Sequence, residues 1–363
     1  MMEALRFYPE AVKFVPLATI RRERRLPVPG KVLVQRGDAV EAATVLAMAE
    51  QPAGVVIVDI ARALKVAPER AAAYLRRKPG APVRAREILA RRRVWLGLRT
   101  LEARSPVEGE IVAAGGGKVL IRAGVRPLEL RAGFPGTVVE ILPSYGAVIE
   151  TTGALIQAFW SSGADFSGMI RIVTSGAEPL RARAIDPVAQ GTLVVGGAWI
   201  EPSALEQAER LQVRGIIAGS MEASLLPMLR ELSFPVVLIE GFGRLPMHPG
   251  IFRILSLYQG REAFVLRPPA GLDGRPGRPE ILIPVPTESP PPPEPAGEVP
   301  LQPGMRVRLL REPYRGRTGT VSGISAHPWT LDSGLRSWCA EIHLDGEEVR
   351  IGVPVYNVEI LRS

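Results

Sequence analysis

Between Thr287 and Pro303, seven of seventeen residues are proline. Proline has no backbone N–H and a fixed φ, so such a tract enters neither a helix nor the interior of a sheet. It reads as an extended, semi-rigid spacer. It divides the chain into a long body and a terminal module, 304–363. Glycine and proline are frequent elsewhere too, 37 and 35 among 363 residues, which favours short strands and many turns over long bundles. A chain of this length exceeds one ordinary domain.

The formal charge of +8 permits contact with nucleic acid, ribosomes or anionic surfaces, and equally describes a merely solvated surface. The single cysteine, Cys339, excludes an intramolecular disulfide and sits in SWCAEIHL, a strand pattern in which it is a small core residue. His248, His327 and His343 are scattered and form no metal-ligand spacing with it. The N-terminus lacks a basic-then-apolar signal pattern and no apolar run reaches spanning length, so the expected location is cytoplasmic, without a membrane span.

Along the body, 1–25 reads as a lead-in segment whose cluster Arg21, Arg22, Arg24 and Arg25 is an exposed, solvated run or a phosphate contact. From Leu26, LPVPGKVLVQRGDAVEAATVLAMAE alternates Val32 and Val34 with polar residues and turns at Gly37-Asp38. A weaker echo, KPGAPVRAREILARR, begins at Lys78, with the same Pro-Gly, a valine, and a leucine-alanine pair after a polar spacer. SPVEGEIVAAGGGKVLIR follows from Ser105, and AGFPGTVVEILPSYGAVIETTGALIQ from Ala132. Between the first pattern and its echo, Ile60, Ala61, Leu64, Ala73 and Leu75 suggest two short helices around Pro68. They are faintly similar to a helix-turn-helix, but Ala71, Ala72 and Ala73 leave few side chains for base edges, so a structural insertion is expected.

These patterns resemble the barrel-sandwich hybrid fold of biotinyl, lipoyl and RnfC-like modules. The resemblance implies one hybrid over 26–131, with a helical insertion, and a second over 132–182. It does not bring the carrier chemistry. The candidate hairpins LAMAEQPAG and ARRRVWLGLRT lack a lysine, and Lys118 lacks the acidic neighbours of a lipoyl hairpin. No cofactor is therefore expected.

Residues 183–286 alternate strand and helix patterns. GTLVVGG, RGIIAGS and SFPVVLIEGFG are strands, and PSALEQAERLQV and MEASLLPMLREL are helices, with Pro227 weakening the second or marking its true start. That order implies a small α/β domain with a parallel sheet. Gly196 and Gly197 either admit a phosphate or mark close packing, and Glu240 ends the third strand, where α/β ligand sites often occur.

In the terminal module, Met305, Val307 and Leu309 alternate with Arg306 and Arg308, so one face fills a core and the other presents guanidinium groups. Arg315-Gly316-Arg317-Thr318-Gly319 is a glycine-bearing turn, and Tyr314 beside it suits stacking on a base or filling a pocket. PGMRVRLLREPYRGRTGTVSGIS and the closing DGEEVRIGVPVYNVEIL resemble a KOW-type SH3-like barrel, the module of NusG-type elongation factors and several ribosomal proteins. The insert ISAHPWTLDSGLRSW is longer than that pattern needs.

The expected architecture is thus mixed and β-rich: barrel-sandwich hybrids, a small α/β domain, the 287–303 linker and a tethered SH3-like barrel. The expected function is non-enzymatic binding of RNA, ribosomal or transcription components through Arg306, Arg308, Tyr314, Arg315 and Arg317. The rival readings are a protein adaptor, and a small-ligand sensor or enzyme using Gly196, Gly197 and Glu240.

Overall fold

The computed structural model describes residues 6–94, 99–267, 277–295, 297, 299–348 and 350–362. It is β-rich and mixed, 46% strand and 14% helix, which fits the coarse fold class expected above. No described helix is long and apolar enough to cross a membrane. Strand pairing is continuous through seventeen strands, so the regions are joined by hydrogen bonds rather than strung as separate beads.

The first strand, Ala11–Arg25, corrects the lead-in expectation. It pairs antiparallel with Gly146–Gln157 from Phe14↔Ile156 to Arg25↔Gly146, and parallel with the last strand, Val358–Arg362, at its other end. The ladder shifts between Val15 and Ala18, around Pro16, which has no N–H to donate. Val12, Phe14, Ala18 and Ile20 are buried, and their spacing is the period of two that a strand requires. Its arginines are paired: Arg21 with Glu150, Arg22 with Glu280 and Glu294, and Arg24 with Asp165. The guanidinium of Arg25 lies 4.3 Å from the Tyr145 ring centroid.

The two β modules are nested, whereas the sequence suggests two in series. An outer module is built from residues 26–52 and 125–157. Its stem strands, Val45–Pro52 and Val125–Arg131, run antiparallel, and Ala53 N–H donates to the Gly124 carbonyl at 2.9 Å. An inner module, 53–124, is inserted between them. It holds the sheet Val55–Asp59, Lys118–Ala123, Gly109–Gly115 and Pro82–Val83, and the hairpin Ile88–Val94 with Arg99–Arg104. Residues 95–98, which fall in the candidate hairpin ARRRVWLGLRT, lie outside the described residues. The helices Ile60–Leu64 and Pro68–Ala71 are five and four residues long, and Asp59 caps the first by accepting the Arg62 N–H at 2.8 Å. Ile60, Leu64 and Ala71 pack against Leu89, Ile111, Val119 and Ile121, which makes these helices core elements.

The echo has a counterpart in three dimensions. Leu46-Ala47 and Leu89-Ala90 are fully buried. Gly30 and Gly80 each donate across the module, to Ser144 and Ile111.

Among the described residues, the α/β layer has five parallel strands: Phe166–Ile172, Leu193–Val195, Trp199–Ile200, Gly215–Met221 and Val236–Phe242. The sequence pattern places the first of these in the preceding module instead. Val195, Ile217, Val237 and Ile239 face one core, which includes Phe14 and the helix Pro249–Leu257. Val194, Ile216, Ala218 and Leu238 face the other, which includes the helix Pro202–Arg210. Burial on both faces explains the apolar runs LVV at 193–195, GIIA at 215–218 and VVLI at 236–239. Pro227 lies in the first turn of a short helix, Leu226–Leu229.

The linker is docked. Thr19 N–H donates to the Pro292 carbonyl at 3.0 Å, and Glu294 N–H donates to the Thr19 carbonyl at 3.1 Å. Prolines cannot donate, so here they contribute only carbonyls. Beyond it, Arg306–Leu309, Thr318–Ile324, Cys339–Leu344, Arg350–Pro354 and Val358–Arg362 form an antiparallel set. They enclose Val307, Leu309, Val321, Ile342 and Ile360, with Phe7 and Leu301 added from outside. Cys339 is buried there. Part of the long insert forms its own pair, Trp329–Thr330 with Arg336–Ser337.

Candidate functional site

Two residues singled out for different reasons, Glu240 and Arg308, meet at the junction of the α/β layer and the terminal module. Glu240 is on the strand Val236–Phe242 and Arg308 on Arg306–Leu309, and their side chains form an ion pair. Arg308 is 5% exposed and Glu240 8%. Arg308 also pairs with Glu359, which in turn accepts from Arg278, and Arg278 reaches Glu10 at 2.7 Å. The second Glu240 oxygen accepts the His248 N–H at 2.9 Å. The alternation that was expected to turn Arg308 outward is overridden, because the face it occupies is covered by the α/β layer. Arg308 is therefore a buried strut and presents no guanidinium to a partner.

The other arginines of the expected binding face are also engaged. Arg306 forms a two-pronged pair with Asp345, whose carboxyl it holds, as the main cause, at about 2. Arg317 pairs with Glu347 at 2.9 Å, and Arg315 donates to the Phe242 carbonyl at 2.6 Å. Tyr314 is half-buried against the core of the terminal module. A cleft of about 370 Å³ remains between the two units, lined by Phe159, Glu240, Leu245, Arg308, Arg315 and Tyr356 among others.

Gly196 and Gly197 are set by packing. Their φ values are 139° and 89°, and a Cβ would stand 2.5 Å from the Thr174 carbonyl oxygen and 2.6 Å from the Leu180 Cβ, respectively. Their N–H groups donate to Ile217 and Ser175. Neither N–H is left to receive a phosphate.

The charge of the protein lies elsewhere. Residues 53–124 hold fifteen Lys and Arg against six Asp and Glu, a net +9, while the whole chain is +8. The terminal module, 304–363, carries eight Arg against seven acids, a net +1. Thirteen of the fifteen cations in the inner module are exposed. Its acids Glu87, Glu102 and Glu110 pair with Arg77, Arg91, Arg104 and Arg122. Among the described residues, the side chains of Arg62, Lys65, Arg70, Arg76, Lys78 and Arg86 have no acidic partner, and Arg84 feels Glu87 only at longer range. An open groove of about 1240 Å³ runs beside the stem, lined by Ala53, Arg77, Arg84, Arg86, Glu108 and Val125 among others. Sequence reading missed this site because it weighed clusters of basic residues one at a time. Net charge summed over a moving window would have located it.

No known protein family matches the chain, and no curated protein matches its sequence.

Proposed function

We propose that this is a non-enzymatic nucleic-acid-binding protein that takes the phosphate backbone of RNA on its inner module. The observation that supports this reading is the concentration of charge. A module of net +9, with exposed and acid-free cations, is held out on a two-stranded stem by a body that is otherwise close to neutral. Such a surface attracts a polyanion through counterion release. The α/β layer and terminal module then act as the frame, since Arg306, Arg308, Arg315 and Arg317 of the latter are spent on internal contacts.

Fluorescence anisotropy with short single-stranded RNA tests the reading. The full-length protein is expected to bind with an affinity that falls steeply as salt rises. The ends of the inner module meet at Ala53 and Gly124, so a short turn can replace it. That replacement is expected to abolish binding. Binding that survives the replacement would overturn the proposal. The adaptor reading draws on a different observation: Val55 and Ile57, 57% and 60% exposed, lie on an edge strand of the inner sheet. It gains ground if RNA fails to bind at low salt.

A further inference from the structure

The outer and inner modules share one turn, bond for bond. In the outer copy, Gln35 N–H donates to the Asp38 carboxylate and Asp38 N–H returns to the Gln35 carbonyl. Gly37 N–H donates to Val138, and Val138 N–H donates to Asp38. In the inner copy, Arg84 N–H donates to the Glu87 carboxylate and Glu87 N–H returns to Arg84. Arg86 N–H donates to Ser105, and Ser105 N–H donates to Glu87. The third residue of both turns is left-handed, with φ of 95° at Gly37 and 66° at Arg86. Glycine adopts that conformation freely; arginine does so against a steric penalty.

The strained residue is thus one that lines the basic groove. Its neighbour Glu87 is occupied: the Arg84 N–H first, and the Arg77 guanidinium next, hold its carboxyl below the ordinary range. Glu87 therefore pairs with Arg77 and interacts more weakly with the Arg84 charge, while the Arg86 guanidinium has no acidic partner among the described residues. The outer turn, which has the same hydrogen bonds, carries glycine at that position. A backbone outlier at a groove, where the sister copy relaxes to glycine, marks a residue kept for what its side chain does.

We infer that the Arg84–Glu87 turn is a phosphate clamp, with Arg84 and Arg86 holding the backbone of the nucleic-acid strand in the groove. The inference deepens the function proposed above and rests on it. Arg86→Gly separates a binding role from a structural one, because it removes the side chain while relieving the backbone. The expected result is a Tm unchanged or raised, with affinity for a short single-stranded RNA reduced about tenfold. The slope of log affinity against log salt should fall by roughly 0.7, the share of one phosphate contact on a single strand. Gly37→Arg is the control: a Cβ there meets nothing within 4 Å, so the arginine is accommodated with strain. It is expected to lower Tm without raising affinity. If Arg86→Gly binds as the wild type does, while Arg62→Ala/Lys65→Ala/Arg70→Ala binds less, the clamp is refuted and the function stands. If the wild type does not bind RNA at low salt, both fail. If polyglutamate displaces RNA at equal charge concentration, the groove takes an acidic protein segment and the nucleic-acid clamp is refuted.

Discussion

Glu240 and Arg308 form a buried ion pair across the junction between the parallel sheet and the terminal module. Each lies on a strand whose other residues fill a hydrophobic core, so neither can withdraw to water. The pair extends through Glu359 to Arg278 and Glu10, which ties the first strand, the last strand and the α/β layer together.

Removing one member of a buried pair strands the other in a medium that solvates charge poorly. Arg308→Ala leaves both Glu240 and Glu359 without this cation. It is expected to cost about 3–5 kcal/mol of stability, read from urea unfolding followed by tryptophan fluorescence. Arg308→Met combined with Glu240→Gln removes the charges from both sides of the pair and should cost less than Arg308→Ala alone. Equal losses would show that packing rather than charge is at stake.

Asp345 predicts an acid limb. Its folded value of about 2 lies below the ordinary 3.8, chiefly through the Arg306 hydrogen bond. A depressed carboxyl adds stability that is complete above the unfolded value and is lost as pH falls through the folded one. The window is therefore between about pH 4 and 2. Asp345→Asn should flatten the fall of Tm across that window and leave the profile above it parallel to the wild type. The effect is modest because the pair is partly exposed. An unchanged acid limb would remove Asp345 as its source.

The linker gives a third test. Glu294 is clamped between Lys13 and Arg22, with Arg22 also held by Glu280. In the wild type, limited proteolysis should spare 290–295. Glu294→Ala should open the segment to cleavage and release the terminal module. Equal resistance in both proteins would assign the docking to the Thr19 backbone contacts instead.

What was legible in the sequence follows from the range of the forces involved. Three of the parallel strands declared themselves because burial on both faces needs apolar runs such as LVV at 193–195, whereas Phe166–Ile172 is only partly buried and did not. The outer turn was visible as Gly37-Asp38, since turn chemistry is local, whereas its counterpart at Arg84–Glu87 carries no glycine to announce it. The nesting was not, because which strand closes on Val45–Pro52 is decided by Val125–Arg131, far along the chain. The linker misled for the same reason: prolines argue against a place inside a sheet but say nothing about a carbonyl accepting from Thr19. The arginines of the terminal module misled most. Alternation correctly separates two faces of a strand, but it cannot say that the outer face of Arg308 will be covered by Glu240. The acids that engage Arg306 and Arg317, Asp345 and Glu347, come from a turn thirty or more residues away.

The last prediction sets the two basic regions against each other. Arg315 is fixed to the Phe242 carbonyl and Arg317 to Glu347, so recruiting them to phosphates means breaking an internal contact for each. Arg62, Lys65 and Arg70 are exposed with no acidic partner among the described residues, and a phosphate gains them without that loss. Arg315→Ala/Arg317→Ala is therefore expected to leave the salt slope of RNA binding as it is in the wild type. Arg62→Ala/Lys65→Ala/Arg70→Ala should lower it by about 2 on single-stranded RNA if all three meet phosphates. Exposed charges contribute little to the fold, so neither set should shift Tm by more than about 2–4 °C. Anisotropy at several salt concentrations decides between them. A slope reduced only by the Arg315/Arg317 pair would return the contact to the terminal module, and would mean that its internal pairs open when RNA arrives.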